Sequence, residues 1–258
     1  MRTMCCFVAA VMLTFWAGQA RADVRLPKVF GDHMVLQQKT DAAVWGWADA
    51  DEEVTVTLGD AKATTKAGAD GKWMAKLATP AAGGPHELVV KGKNELKLAD
   101  VMTGEVWIAS GQSNMEWPLR ASTNAAEEIK NANQSAIRVI KVGRNPTDKP
   151  QDEIPSNSSG WQVCTPENAP NFTAVGYFFA RKLNADLGVP VGIISSNWGG
   201  TIAEAWTSKE TLESDSGWYG PILERGKEFK AGNPNQPSVL YNSMIKPLVP
   251  YAIRGAIW

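Results

Sequence analysis

The chain has 258 residues, 44% of them hydrophobic and 21% charged, with a formal net charge of −1. This length allows one or two domains, and the composition is that of an ordinary globular protein. No Lys/Arg cluster is dense enough to form a phosphate-binding face, so nucleic acid is excluded as an expected partner.

The first 22 residues have the three parts of a secretory signal. Arg2 supplies the charge, Phe7 to Trp16 the apolar run, and Ala20-Arg21-Ala22 the small-residue cleavage motif. Cleavage is expected after Ala22, which places the mature protein in a periplasmic or extracellular compartment. The apolar run falls short of the roughly 20 residues a spanning helix needs, so no membrane attachment is expected after cleavage. Cys5 and Cys6 lie inside this segment, which leaves Cys164 without a disulfide partner and expected to be a buried thiol. Two histidines far apart in sequence and one lone cysteine give no metal-ligand spacing, so no metal or other cofactor is expected.

Residues 23–103 read as all-β. Short β-rich runs at 44–47, 54–58, 72–77 and 87–91 are separated by turn signals such as Gly59-Asp60, Asp70-Gly71 and Gly83-Gly84-Pro85. Strands at this spacing predict a sandwich or jelly-roll-like domain. The pattern changes over 104–258. Val106 to Ser110 is a continuous apolar run, as expected of a strand covered on both faces. Residues 136–142 form a second strand candidate, and a Pro-, Asn- and Ser-rich loop runs from Gly143 to about Asn171.

A helix follows, capped by Thr173, with Val175, Phe178, Phe179, Leu183 and Leu187 on one face and Gly188 at its end. Residues 191–196 form the next strand, Ser208 caps a short helix over 209–213, and 252–258 form a last strand. Strands alternating with helices predict an α/β layer with a parallel sheet. A domain that stops in an apolar strand reads as incomplete.

In an open parallel sheet, ligands bind beyond the carboxyl ends of the strands. Two strands here end in small and polar residues: Gly111-Gln112-Ser113-Asn114-Met115 and Asn197-Trp198-Gly199-Gly200-Thr201. Both ends point to one rim, which sets the Ser113 hydroxyl near a glycine turn with unhindered N–H groups. A serine near such donors is half of an acyl-transfer site. The same residues also occur in ordinary strand-to-helix turns for capping reasons.

The wording Val106-Trp107-Ile108-Ala109-Ser110-Gly111-Gln112-Ser113-Asn114-Met115 resembles the nucleophile block of the sialate O-acetylesterase family, a branch of the SGNH (GDSL-like) hydrolases. Further words are similar to that family: Phe30 to Gln37, Val44 to Ala48, Asp70 to Trp73, Asn197 to Thr201 with Glu204-Ala205-Trp206, and Tyr241 to Ile245. The resemblance implies a β-domain followed by the first part of an SGNH-type α/β domain, and a serine carboxylic-ester hydrolase acting on O-acetylated sugar. It implies that Ser113 is the nucleophile, and that the N–H groups of Ser113 and of Gly199 or Gly200 are oxyanion donors. Trp117, Trp198 and Trp206 flank the two blocks, where they can wall a sugar pocket or pack a core.

The family's Gln-Gly-Glu block and its Asp-x-x-His pair, which supply a further donor and the base, do not occur in this sequence. His33 and His86 are the only histidines and both fall in the β-region, where structural or surface roles are expected. Little activity is therefore expected of this chain alone. Two other readings stand beside sialate O-acetylesterase: an esterase acting on acetylated xylan, and a non-catalytic sugar-binding protein.

Overall fold

The computed structural model describes residues 23–258; the expected signal segment lies outside the described residues. One long strand organises the rest. β7 (Glu95–Gly111) runs through the expected boundary at 103/104 and changes neighbours on the way. Its first half pairs antiparallel with β6 (Gly83–Lys91) and parallel with β1 (Val35–Gln37). Its second half lies between β10 (Val191–Asn197) and β11 (Gly255–Ile257), parallel to both.

The N-terminal region is all-β. β3 (Glu53–Leu58) and β4 (Ala61–Lys66) continue the sheet outward from β6. β2 (Asp41–Trp47) and β5 (Lys72–Ala78) form a separate two-stranded antiparallel sheet. In β5 every second side chain is buried, which is the alternation of a sheet with one wet face. On the other side of β7, β10 is followed by β8 (Gln134–Lys141) and β9 (Trp161–Cys164). β9 pairs antiparallel, so the nine-stranded sheet is mixed rather than purely parallel. β9 also interrupts what the sequence presents as a continuous loop; at four residues it is too short to show a period.

β10 is buried along its entire length, as a central strand covered on both faces must be. Ile193, Ile137, Val139 and Ala109 face one core cluster, under the helix α3 (Ala174–Leu187). Ile194, Ile140 and Val106 face the other. That second face is covered by the N-terminal β-region and the 239–251 segment rather than by crossover helices. Tyr251 is fully buried there, its hydroxyl donating to the Val35 carbonyl at 2.8 Å, beside Phe30, Trp45 and Trp161. The Trp161 indole N–H donates to the Val29 carbonyl at 2.8 Å. Trp45 and Trp161 therefore have a structural role, packing the two regions together.

α3 begins and ends where expected: Thr173 Oγ1 accepts from the Gly176 N–H, and Gly188 takes φ +65°. Its buried face is the expected one only in part: Phe178, Phe179 and Leu183 pack against the core cluster as partly buried residues. Ala174, Gly176, Tyr177 and Ala180 are buried, whereas Val175 and Leu187 are 43% and 54% exposed. Tyr177 is fully buried beside the small residues Ala174, Gly176 and Ala180. A β-carbon on Gly176 would stand 3.4 Å from Ile193 Cγ2 and 3.7 Å from Ala109 Cβ. The remaining helices are short: α1 (Ser113–Glu116), α2 (Ala125–Lys130), α4 (Lys209–Ser214) and α5 (Ser216–Arg225). Ser208 caps α4, accepting from the Thr211 N–H. No helix among the described residues is long and apolar enough to cross a membrane.

Candidate active site

The parallel register sets Asn197 beside Gly111 and Ser196 beside Ser110, so β7 and β10 end level with each other. The Trp198 N–H donates to the Gly111 carbonyl at 3.0 Å and ties the two exits together. Gly111 adopts φ +125°, a conformation L side chains rarely take, and this sharp exit turns the chain directly into α1. Ser113 is the first residue of that helix, and no side chain caps the helix N-terminus.

The exits bring Ser113 and Gly199 into contact. A β-carbon on Gly199 would lie 3.1 Å from Ser113 Oγ and 3.4 Å from Ser113 Cα. It would also lie 2.7 Å from Glu116 Oε2, so a side chain here would have to displace the Glu116 carboxylate. Gly200 has φ +76°, stands exposed, and would point a β-carbon into open space. Its carbonyl accepts from Asn235 Nδ2 at 3.1 Å.

Glu116 joins three strand-end loops. Its Oε2 accepts the Gly199 N–H at 2.6 Å, and its Oε1 pairs with the Arg144 guanidinium, which follows β8 by three residues. Arg144 in turn lies 5.2 Å from the Trp198 ring centroid. Burial pushes the Glu116 carboxyl up, but hydrogen bonds from Arg144 and Gly199 and the charges of Arg144 and Lys141 outweigh it. The group is held below the usual glutamate range. The amide of Gly199, expected as an oxyanion donor, thus points at Glu116.

Behind the exits, the strand ends are polar and buried. Asn197 Nδ2 donates to Ser195 Oγ at 2.9 Å, and Ser196 Oγ donates to the Met244 carbonyl at 2.9 Å. Ser110 Oγ is buried and has no partner among the described residues. The three flanking tryptophans have separate surroundings. Trp206 is buried, its N–H donating to Thr201 Oγ1 at 2.9 Å, with its ring edge-on to Trp258 at 6.0 Å. Trp117 is 56% exposed and donates to the Ala121 carbonyl at 2.9 Å. Trp198 is partly buried beside Arg144. Trp258 lays its ring 3.7 Å from where a Gly111 side chain would start.

Neither histidine is at this rim. His33 Nδ1 lies 2.6 Å from Asp100 Oδ2, and His86 pairs with Val101 across the sheet. Asp100 and Val101 precede Gly111 on β7 by 11 and 10 residues, roughly 35 Å along an unbent strand. Cys164 is buried under α3 and burial pushes its thiol up to about 11, the state of an inert packing residue. Among the described residues no group of three or more His, Cys, Asp or Glu side chains could hold a metal ion.

Two residues of the site are missing from the sequence reading. They are Glu116 and Arg144, the second lying in a stretch taken as plain loop. The signal for Arg144 is the rule that located the other two loops: it follows the carboxyl end of a parallel strand.

No family profile matches the chain. Sialate O-acetylesterase of Homo sapiens is 31% identical over 268 residues, covering 95% of this chain and 50% of that protein. The Pongo abelii protein of the same name is also 31% identical, over 267 residues, with the same coverage. The crystal structure of a carbohydrate acetylesterase from Xanthomonas citri superposes with a TM-score of 0.81 at 38% identity, covering 92% of this chain and 50% of that one. The chain spans about half the length of the curated relatives it matches. The resemblance to sialate O-acetylesterases read from the sequence blocks therefore extends over most of the chain.

Proposed function

We propose that this chain carries the nucleophile side of a carbohydrate esterase, with Ser113 attacking the carbonyl of a sugar-bound acetyl group. The observation that carries the reading is the convergence of the two strand exits, which sets Ser113 Oγ against Gly199. The names of the similar proteins support an acetylated sugar as substrate, and O-acetylated sialic acid as the narrower choice. The expected compartment is periplasmic or extracellular.

In this reading Ser113 Oγ forms a bond to the acetyl carbon. The hydroxyl proton leaves to a base, and the oxyanion is stabilised by the Ser113 N–H and a donor of the Gly199-Gly200 turn. Each well-placed donor contributes roughly 3 kcal/mol to the transition state. Gly199 lies nearer Ser113, but its N–H already serves Glu116, so in this reading the donor from the turn is the Gly200 N–H. Without a histidine at the rim the serine remains a weak nucleophile. The chain by itself should then reach at most roughly 10³–10⁴-fold over water.

The test is acetate release from O-acetylated sialic acid and from acetylated xylan. It is measured on this chain and on a chimera in which the chain replaces the matching half of a full-length relative. In the chimera, where the full catalytic set is present, Ser113→Ala should lower turnover by roughly 10⁶-fold. A Ser113→Ala chimera that keeps its full turnover would remove the nucleophile assignment. A preference for xylan would replace the sialate choice, and binding of the sugars with no turnover in either polypeptide would leave a sugar-binding protein.

A further inference from the structure

Glu116 is neither the nucleophile nor a free acid, because both of its oxygens are already committed, one to a backbone amide and one to an arginine. An ordinary exposed ion pair contributes little and can form with many partners. This one is different in kind. Its second partner is the amide of the residue beside Ser113, where a side chain would displace the carboxylate because a β-carbon would stand 2.7 Å from the Glu116 oxygen. Glu116 lies on α1, Arg144 follows β8 and Gly199 follows β10, so one carboxylate fixes the spacing of three separate loops.

We propose that Glu116 is a positioning residue that holds the Gly199 amide in place against Ser113, with Arg144 as the counterion that keeps it ionised. The proposal rests on the esterase reading for its purpose, but the contact itself can be tested without turnover. The side chains facing the carboxylate are Arg144 from the loop after β8 and Lys141 at the end of β8, with the Gly199 N–H from the loop after β10. All three favour the charged form. A carboxyl with a depressed pKa keeps its contact at and above the ordinary glutamate range. It loses the contact only as pH falls through the lowered value.

The experiment follows the Gly199 amide resonance of the intact chain, labelled with ¹⁵N and assigned by triple resonance. In the wild type this amide should shift with one carboxylate titration, centred below the ordinary glutamate range. Glu116→Gln retains an acceptor oxygen and should abolish the titration. Arg144→Met should move its midpoint upward. In Glu116→Ala the amide and Arg144 are left without their carboxylate, and added acetate should restore the Gly199 resonance toward its wild-type position. A Gly199 amide that does not titrate overturns the proposal. So does one that still titrates in Glu116→Gln, or an acetate response equal in wild type and Glu116→Ala. Failure of the esterase reading is a separate result, a Ser113→Ala chimera that keeps its full turnover, and would leave the titration intact.

Discussion

The two ends of β7 hold complementary halves of what looks like one apparatus. Near its start, His33 contacts Asp100 at 2.6 Å, a base-like imidazole with an orienting carboxylate. At its end stands Ser113 against Gly199, with no imidazole. Read as a residue inventory, the chain has serine, histidine and aspartate; read as geometry, it has them at opposite ends of a 17-residue strand. Asp100 has another duty, pairing with Arg138 at 3.0 Å, whose side chain is 5% exposed. The His33 end is thus an ion-pair cluster, while the Ser113 end is a set of loops around the proposed nucleophile. A parallel sheet offers ligand space at the carboxyl ends of its strands, and only one of the two clusters lies there.

If β7 is the common support, damage at its midpoint should affect both ends together. Gly104 sits there, and a β-carbon on it would fall on the Pro190 carbonyl, which also accepts the Glu105 N–H at 2.9 Å. The obstacle is backbone, which cannot swing aside. Gly104→Ala should destabilise the fold by about 3 kcal/mol, seen as a lowered urea midpoint with one transition. Two separate transitions would show that the ends are held independently. Asp100→Ala is the narrower probe. It leaves the Arg138 charge buried with its carboxylate gone. Because Asp100 itself is 31% exposed, the expected loss is about 2 kcal/mol rather than the full value for a buried pair. The Gly199 titration should be unchanged in that variant. Loss of the titration would couple the two ends and undo their contrast.

Much of this was legible beforehand, for identifiable reasons. β10 and the end of β7 are apolar runs that only a doubly covered strand explains, and their small polar exits marked the site. Thr173 and Gly188 marked α3 because caps are local chemistry. Its buried face was legible in part: Phe178, Phe179 and Leu183 pack on the core, whereas Val175 and Leu187 stay exposed and Tyr177 is buried in their place. β4, with Ala, Lys and Thr at half-exposed positions, carries little hydrophobic signal. β7 was read from its apolar second half, because its first half is a partly wet strand with charged residues. The role of Glu116 depends on two residues distant in sequence, Arg144 and Gly199, and no local pattern encodes such a meeting.

The smallest expected effect separates the Ser113 end from its support. Thr173 does two things: its hydroxyl oxygen accepts the Gly176 N–H at the start of α3, and it lies 3.5 Å from Met115 Sδ on α1. The adjacent Ala174 N–H donates to the Trp117 carbonyl at 2.8 Å, so the start of α3 braces the turn that carries Ser113. Thr173→Ala removes the cap but keeps that backbone bond. The cost should be about 1 kcal/mol, the usual value of a helix cap, measured by urea denaturation. Hydrogen exchange should speed up at Gly176 and across α1, and stay unchanged around His33 and Asp100. Equal acceleration at both ends would mean that the cap stabilises only the global fold. A local effect confined to α1 and α3 would show that the rim has its own support, set by a helix the sequence already announced.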